Sequence, residues 1–432
     1  MSRRLFIDHT HTTQYGFQTG VQRVVHKICE HAQSSAEGYF DEVIPVMLNE
    51  GRFVSSGKSK LTSSATQRVK EKRMDASSPR NWIQSIKHWL RSNHNPNSQL
   101  TSDVQATSLC EFVSEKDTLL LPDAYWALPH VWPAVKRFRN AGGRTAIVIY
   151  DLIPHMHSSI YGQEGANGFR AYIQAAFEHA DSFYAISRTV RDQLVLELPK
   201  ITGVPIGDLL IDYFGLGAEF TDPEGLVQSE VRNIFCDNEY SRPLLMVGTI
   251  EARKNHNFVI DTMESLWIDA PERCLCIVGR PGWKGEQVIA RMKTHPRFGK
   301  QLHWIDNASD ADLLHCYKHA KGVVFSSIAE GFGLPIVESL WHRCRTFVSD
   351  IPIHREVGKN QCHYFDLNEK DSLLILLRQF EKTDHQNSLV VGPQDHPPTT
   401  WNESVAGLVR KIHLSKSSPS IVTGRHNHNM AA

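Results

Sequence analysis

Neither sign of charge prevails in this chain of 432 residues, where 47 lysines and arginines face 47 aspartates and glutamates. Without a basic excess there is no electrostatic footprint for nucleic acid, and a nucleic-acid partner is not expected. Cysteine is sparse, with eight residues at positions 29, 110, 236, 274, 276, 316, 344 and 362. None forms a C-x2-C pair or groups with histidine at zinc spacing, so neither a disulfide framework nor a structural zinc site is expected. Long apolar runs are missing too: no window reaches the roughly eighteen uninterrupted apolar residues of a membrane-spanning helix. The opening MSRRLFIDHTH turns polar after three apolar residues, fewer than a signal peptide uses. A reduced, cytoplasmic protein fits these absences.

What is present is a recurring alternation of short apolar runs with helical stretches, over a length that suits two domains. Arg4–Asp8 reads as a first strand. After it a polar stretch with Gly16 and Gly20 leads into a helical run, Val21–Ile28, although the dinucleotide fingerprint G-x-G-x-x-G is absent. Further strands are expected at Glu42–Met47, Asp117–Pro122, Ala146–Tyr150, Ser182–Ser187 and Leu209–Gly217. A second series follows at Pro243–Thr249, Leu275–Arg280, Leu302–Ile305, Gly322–Ser327 and Thr346–Asp350, and Trp401–Ile412 reads as a closing helix. Strands alternating with helices predict an α/β protein with parallel sheets. The expected division is a first domain at 1–225, a linker at 226–240, a second domain at 241–412 and a disordered tail at 413–432.

The most informative stretch is Gly322–Leu340, GVVFSSIAEGFGLPIVESL. A buried strand feeds a turn at Glu330-Gly331-Phe332-Gly333, and Pro335 follows at the start of a helix, where its missing N–H costs nothing. Such an arrangement aims backbone N–H groups and the positive end of a helix dipole at one point, as phosphate binding requires. Two carboxylates, Glu330 and Glu338, bracket the turn, and carboxylates accept hydroxyls rather than phosphate oxygens. A diphosphate with sugar hydroxyls on both sides, a nucleotide sugar, satisfies both features.

The run Glu330, Gly331, Phe332, Gly333, Leu334, Pro335, Glu338 and Ser339 resembles the E-x7-E donor signature of the retaining glycosyltransferases of family four. The resemblance implies the GT-B architecture, two Rossmann-like domains facing across a cleft, with a last helix returning to the first domain. It implies that Glu330 touches the transferred sugar, that the amides around Gly331, Phe332, Gly333 and Leu334 hold the diphosphate, and that Glu338 binds the ribose. Thr19–Val25 is similar to a TGxQRVV element of one subgroup, which makes Gly20 and Arg23 donor-site candidates. A strand ending at Gly248 and followed by Glu251-Ala252-Arg253-Lys254-Asn255 supplies the cations for a leaving diphosphate. Lys254 matches the family lysine, whereas Thr249 stands at the usual arginine position and Arg253 compensates. Asp151 lies at a strand end like the aspartate of the family's HDLIP segment, with Tyr150 replacing the histidine and His155 a substitute for it. Ser187 matches a family serine and is assigned mainly to capping the next helix.

The Asp-x-Asp pair Asp310–Asp312 is expected to open a helix behind Ser309, and no catalytic metal or other cofactor is expected beyond the donor itself. An insert at about 55–107 is basic, with nine lysines and arginines against two acids between Val54 and Leu100. Within it Trp82, Ile83, Ile86, Trp89 and Leu90 recur at helical spacing, which suits either packing on the first domain or peripheral contact with an anionic membrane carrying a lipid-linked acceptor. The resemblance thus implies a metal-independent, retaining hexosyltransferase with a mannose-like donor, acting on a glycan or lipid-linked acceptor in cell-surface polysaccharide synthesis. Alternatives are a phosphorylase or epimerase on the same fold, or a catalytically silent GT-B subunit of a membrane-associated assembly.

Overall fold

The computed structural model describes residues 2–15, 19–56, 113–219, 225–235, 242–384 and 398–415. Two parallel sheets dominate. The first has the order β3-β2-β1-β4-β5-β6-β7, with β1 at Arg4–Asp8, β2 at Glu42–Asn49, β3 at Arg52–Ser55, β4 at Thr118–Leu121, β5 at Arg144–Ile149, β6 at Ser182–Ala185 and β7 at Leu210–Tyr213. The second has the order β10-β9-β8-β11-β12-β13, with β8 at Leu244–Val247, β9 at Leu275–Val278, β10 at Leu302–Ile305, β11 at Gly322–Phe325, β12 at Thr346–Ser349 and β13 at His363–Phe365. In β4, β6, β8, β9, β11 and β12 every residue is buried, as befits strands covered by helices on both faces.

The α/β expectation therefore holds, with two additions at sheet edges. β3 pairs antiparallel with β2, and β13 pairs with β12 over three residues, too few for a periodicity to register. The stretch expected as a linker differs as well. Its helix Ser229–Ile234 buries Val231, and Phe235 beside it, among Leu245, Val247 and Cys276, so the chain up to Phe235 packs with the second sheet. The basic insert, apart from Ser55 and Ser56, and the tail beyond Ser415 lie outside the described residues.

The closing helix Trp401–Leu414 returns to the first domain as expected. Trp401, Val405, Leu408 and Val409 are buried with Leu5, Ile7, Val24 and Ile28. Gly217 makes the approach possible, because a Cβ there would lie 2.4 Å from the Trp401 nitrogen. Among the described residues no helix is long and apolar enough to cross a membrane.

Each sheet has one place where consecutive connections run in opposite directions, between β1 and β4 in the first and between β8 and β11 in the second. Ligands of open α/β sheets bind beyond the carboxyl ends of the strands at such switch points. Asp8 ends β1 and Asp123 follows β4, while the Arg253–Lys254 loop and the Glu330 turn follow β8 and β11.

Candidate functional site

At the second switch point the loop after β8 delivers two cations to one carboxylate. The Lys254 ammonium lies 2.6 Å from Glu330 Oε1 and the Arg253 guanidinium 2.6 Å from Glu330 Oε2. The loops are tied through the backbone as well, since Ile328 N donates to the Arg253 carbonyl at 2.8 Å and Ser326 Oγ to the Lys254 carbonyl at 2.9 Å. Burial opposes ionisation of Glu330, but Arg253 and Lys254 outweigh it and hold the carboxyl well below the usual range. For Lys254 burial wins and pulls the ammonium down, against the pull of Glu330. Gly248 has φ +150° and lies against the Lys254 stem, with a Cβ there 3.4 Å from Cε.

Chain geometry explains the turn that follows. Gly333 takes φ +104°, a conformation that only glycine adopts without strain, and the helix Leu334–Trp341 starts directly after it with Pro335 in its first turn. The positive end of that helix thus stands close to Glu330 in the chain. One turn into the helix, Glu338 is buried. Its Oε2 accepts the Tyr317 hydroxyl at 2.7 Å, and its Oε1 accepts the Arg23 guanidinium from the first domain. Arg23 also lies 3.7 Å from Asp310.

The first domain closes directly on this turn. A Cβ on Gly331 would lie 2.0 Å from the Tyr150 carbonyl oxygen, so only glycine fits against the end of β5. Ser187 Oγ donates to the Gly331 carbonyl at 2.8 Å while accepting from Val190 N at 3.1 Å, so the capping serine also reaches across the cleft. Phe332 and Val337 are buried among first-domain side chains, with Leu334 packed against them and 3.7 Å from where a Gly20 Cβ would lie. Phe332 and Leu334, expected at the donor, thus form an apolar contact between domains, in which a buried side chain such as Phe332 contributes about 1.5–3 kcal/mol.

Asp151 sits in the field of Arg253, Glu330 and Glu251, with Oδ1 accepting Ile153 N at 2.9 Å. Burial raises its carboxyl, with Arg253 pulling the other way. The neighbours expected to replace the family histidine do not face the site. Tyr150 donates its hydroxyl to the Pro122 carbonyl at 2.6 Å and is buried. His155 accepts from Arg170 Nε on Nδ1 at 2.9 Å, which leaves its Nε2 proton for Glu197 at 3.1 Å and turns the ring toward the helix Arg188–Thr202. Its assignment as a substitute is therefore corrected: the ring is held by helix partners.

Asp312 caps its helix as expected, exchanging hydrogen bonds with Ser309 and accepting Gln228 N at 2.7 Å. Among the described residues no group of three or more His, Cys, Asp or Glu is placed to hold a metal ion. The sequence reading missed four contributors. Glu251 holds Arg253 at 2.7 Å, Tyr317 holds Glu338, and Tyr161 shares the field of Glu251, Arg253, Asp151 and Glu330. Glu356 accepts the amides of Arg188 and Thr189 across the cleft, each at 2.7 Å. Only Glu251 had a local signal, its place two residues before Arg253. A separate cavity of about 580 Å³, lined by Ser229, Glu230, Lys300 and His303 among others, lies at the amino ends of β9 and β10, the far end of the sheet.

Residues 228–387 match the family of glycosyl transferases group 1. The serotype-specific mannosyltransferase WbdA of Escherichia coli is 28% identical over 313 residues, which covers 70% of this chain and 37% of WbdA. The O-antigen chain mannosyltransferase RfbU of Salmonella typhimurium is 22% identical over 237 residues, covering 55% of this chain and 60% of RfbU. This chain thus matches little more than a third of WbdA. The crystal structure of Anabaena HepE in complex with UDP and glucose aligns with a TM-score of 0.53 over 95% of each chain at 14% identity, a likeness of fold. The order of the sheets and the likeness to HepE give the chain the GT-B fold, and within it residues 228–387, which include the Glu330 turn, are similar to the glycosyl transferases of group 1.

Proposed function

We propose that this protein transfers a hexose from a nucleoside-diphosphate sugar to a glycan or lipid-linked glycan, with retention of anomeric configuration and without a metal ion. The observation that carries the reading is the pair Arg253 and Lys254, both on Glu330 beside the start of a helix. An arriving diphosphate offers these cations a second anionic partner, and Glu330 is then free to accept a hydroxyl of the sugar. As the glycosidic bond breaks, Arg253, Lys254 and the amino end of the helix Leu334–Trp341 stabilise the departing diphosphate. Two side-chain cations supply the charge for which other transferases use a metal. Glu338, with Tyr317 fixing its orientation, takes the ribose.

No side chain is assigned as a covalent nucleophile, and the acceptor hydroxyl attacks from the face the diphosphate leaves. Asp151, on the first-domain wall and within the electrostatic reach of Arg253, is the residue assigned to the acceptor side of the reacting carbon. Mannose is the first sugar to try because WbdA and RfbU are mannosyltransferases by name. RfbU is an O-antigen chain mannosyltransferase by name, which supports a role in surface-polysaccharide synthesis; a cytoplasmic reaction near the membrane surface is part of the same proposal. Incubation with GDP-mannose, UDP-glucose and UDP-N-acetylglucosamine, following diphosphate release and the anomeric proton of the product by NMR, tests the reading. Release from one donor with an α-linked product from an α-linked donor is expected. No release from any donor, or an inverted product, contradicts it.

A further inference from the structure

The carboxylate assigned to the ribose is already engaged from both sides of the cleft. Tyr317, on Oε2, belongs to the same domain as Glu338 and holds it whatever the first domain does. Arg23, on Oε1, belongs to the helix Gly20–Ser35 of the first domain. The Glu338 side chain is 4% exposed, so little of it is left for a further partner while the guanidinium is in place. A hydrogen bond between two charged groups is also stronger than one between a carboxylate and a neutral hydroxyl.

We propose that Arg23 is a cross-domain latch that competes with the ribose for Glu338. Nucleotide binding then takes Glu338 from Arg23, and the guanidinium turns to Asp310, which already lies 3.7 Å from it. The other contacts across the cleft leave Glu338 untouched. Ser187 bonds the Gly331 carbonyl, Glu356 caps the helix Arg188–Thr202, and Trp283 Nε1 donates to the Ile160 carbonyl at 3.1 Å. Release of Arg23 therefore loosens the nucleoside corner of the cleft without parting the domains at the sugar corner. Arg23 acts here through Glu338, as a gate on the donor.

This inference rests on the reading of Glu338 as the ribose ligand, and the test separates the two. The full chain is titrated by calorimetry with uridine and guanosine, then with UDP and GDP. Nucleosides are the direct probe, because they carry no phosphate for Arg23 to attract once it is free. The Arg23→Ala protein is expected to bind the preferred nucleoside on the order of tenfold more tightly than wild type, about 1.4 kcal/mol. Arg23→Lys should fall between them, and adding Glu338→Ala should erase the gain. Arg23→Gln replaces the alanine variant if that one does not melt as a folded protein. Nucleoside binding equal to or weaker than wild type in a folded Arg23 variant overturns the latch and leaves the nucleotide site standing. If neither UDP nor GDP binds wild type or any Arg23 variant, the nucleotide reading falls and the latch falls with it.

Discussion

The two switch points treat buried carboxylates in opposite ways. At the second, Glu330 meets two cations and is held ionised. At the first, Asp8 is completely buried and bonded to hydroxyls, those of Thr10 at 2.5 Å and Tyr125 at 2.7 Å. Asp123 beside it accepts Thr12 N at 2.8 Å and Ala124 N at 2.9 Å. His11 stands 3.8 Å from Asp123, but burial pushes its imidazole toward the neutral form. Burial, with hydroxyls pulling the other way, drives Asp8 up to about 7. The same strand-end position is thus a charged exchange point in one domain and a hydroxyl-bonded floor in the other. An anionic leaving group needs the first arrangement; a neutral acceptor sugar is compatible with the second.

The comparison breaks most sharply at Glu330. Glu330→Gln leaves Lys254 buried without its carboxylate and Arg253 with Glu251 alone, and losing one partner of a buried ion pair costs about 3–5 kcal/mol. Denaturant unfolding should show that loss, together with the loss of donor turnover. The sign with pH follows from the depressed carboxyl: its contribution is present above the ordinary carboxylate range and disappears as pH falls through and below it. The variant should accordingly lose less stability than wild type on acidification.

Asp8 predicts the reverse dependence. A carboxyl raised to about 7 contributes fully below its unfolded value near 3.8 and loses that contribution as pH rises through about 7. Asp8→Asn cannot ionise, so its melting temperature should gain on wild type between pH 5 and pH 8. An unchanged difference across that range would mean that Asp8 is ionised at neutral pH and that the two switch points are alike. The smallest effect belongs to the bridge between the domains. Ser187→Ala removes a helix cap and the bond to the Gly331 carbonyl, for a loss of about 1–2 kcal/mol measured by chemical denaturation.

Much of the second switch point was legible because its signals are local. Gly333 needs a left-handed backbone, Pro335 marks a helix start, and Arg253, Lys254 and Glu330 follow strands whose apolar runs stand out. Gly331 shows where local reading stops. Its glycine is demanded by the Tyr150 carbonyl of the other domain, a contact that no spacing along the chain encodes. Glu356 escaped for the same reason, being an ordinary helix residue until the cleft brings Arg188 and Thr189 to it, and Tyr317 escaped because its partner Glu338 lies on a different helix of the same domain. His155 was misplaced because its partners, Arg170 and Glu197, lie on helices one or more turns away from any motif. The stretch expected as a linker at 226–240 differs because Val231 and Phe235 are too few to declare a helix yet enough to pack into the second core.

The division of labour at the donor is tested most directly by measuring nucleoside and nucleoside-diphosphate affinities side by side in wild type, Glu338→Ala and Lys254→Ala. Glu338→Ala should weaken nucleoside and diphosphate alike, because both carry the ribose. Lys254→Ala should weaken the diphosphate alone, by on the order of tenfold for a lost charge-assisted contact of about 1.5 kcal/mol or more. If Lys254→Ala bound the diphosphate as wild type does, or if Glu338→Ala left both affinities unchanged, the assignment of this site to a nucleotide-sugar donor would be wrong.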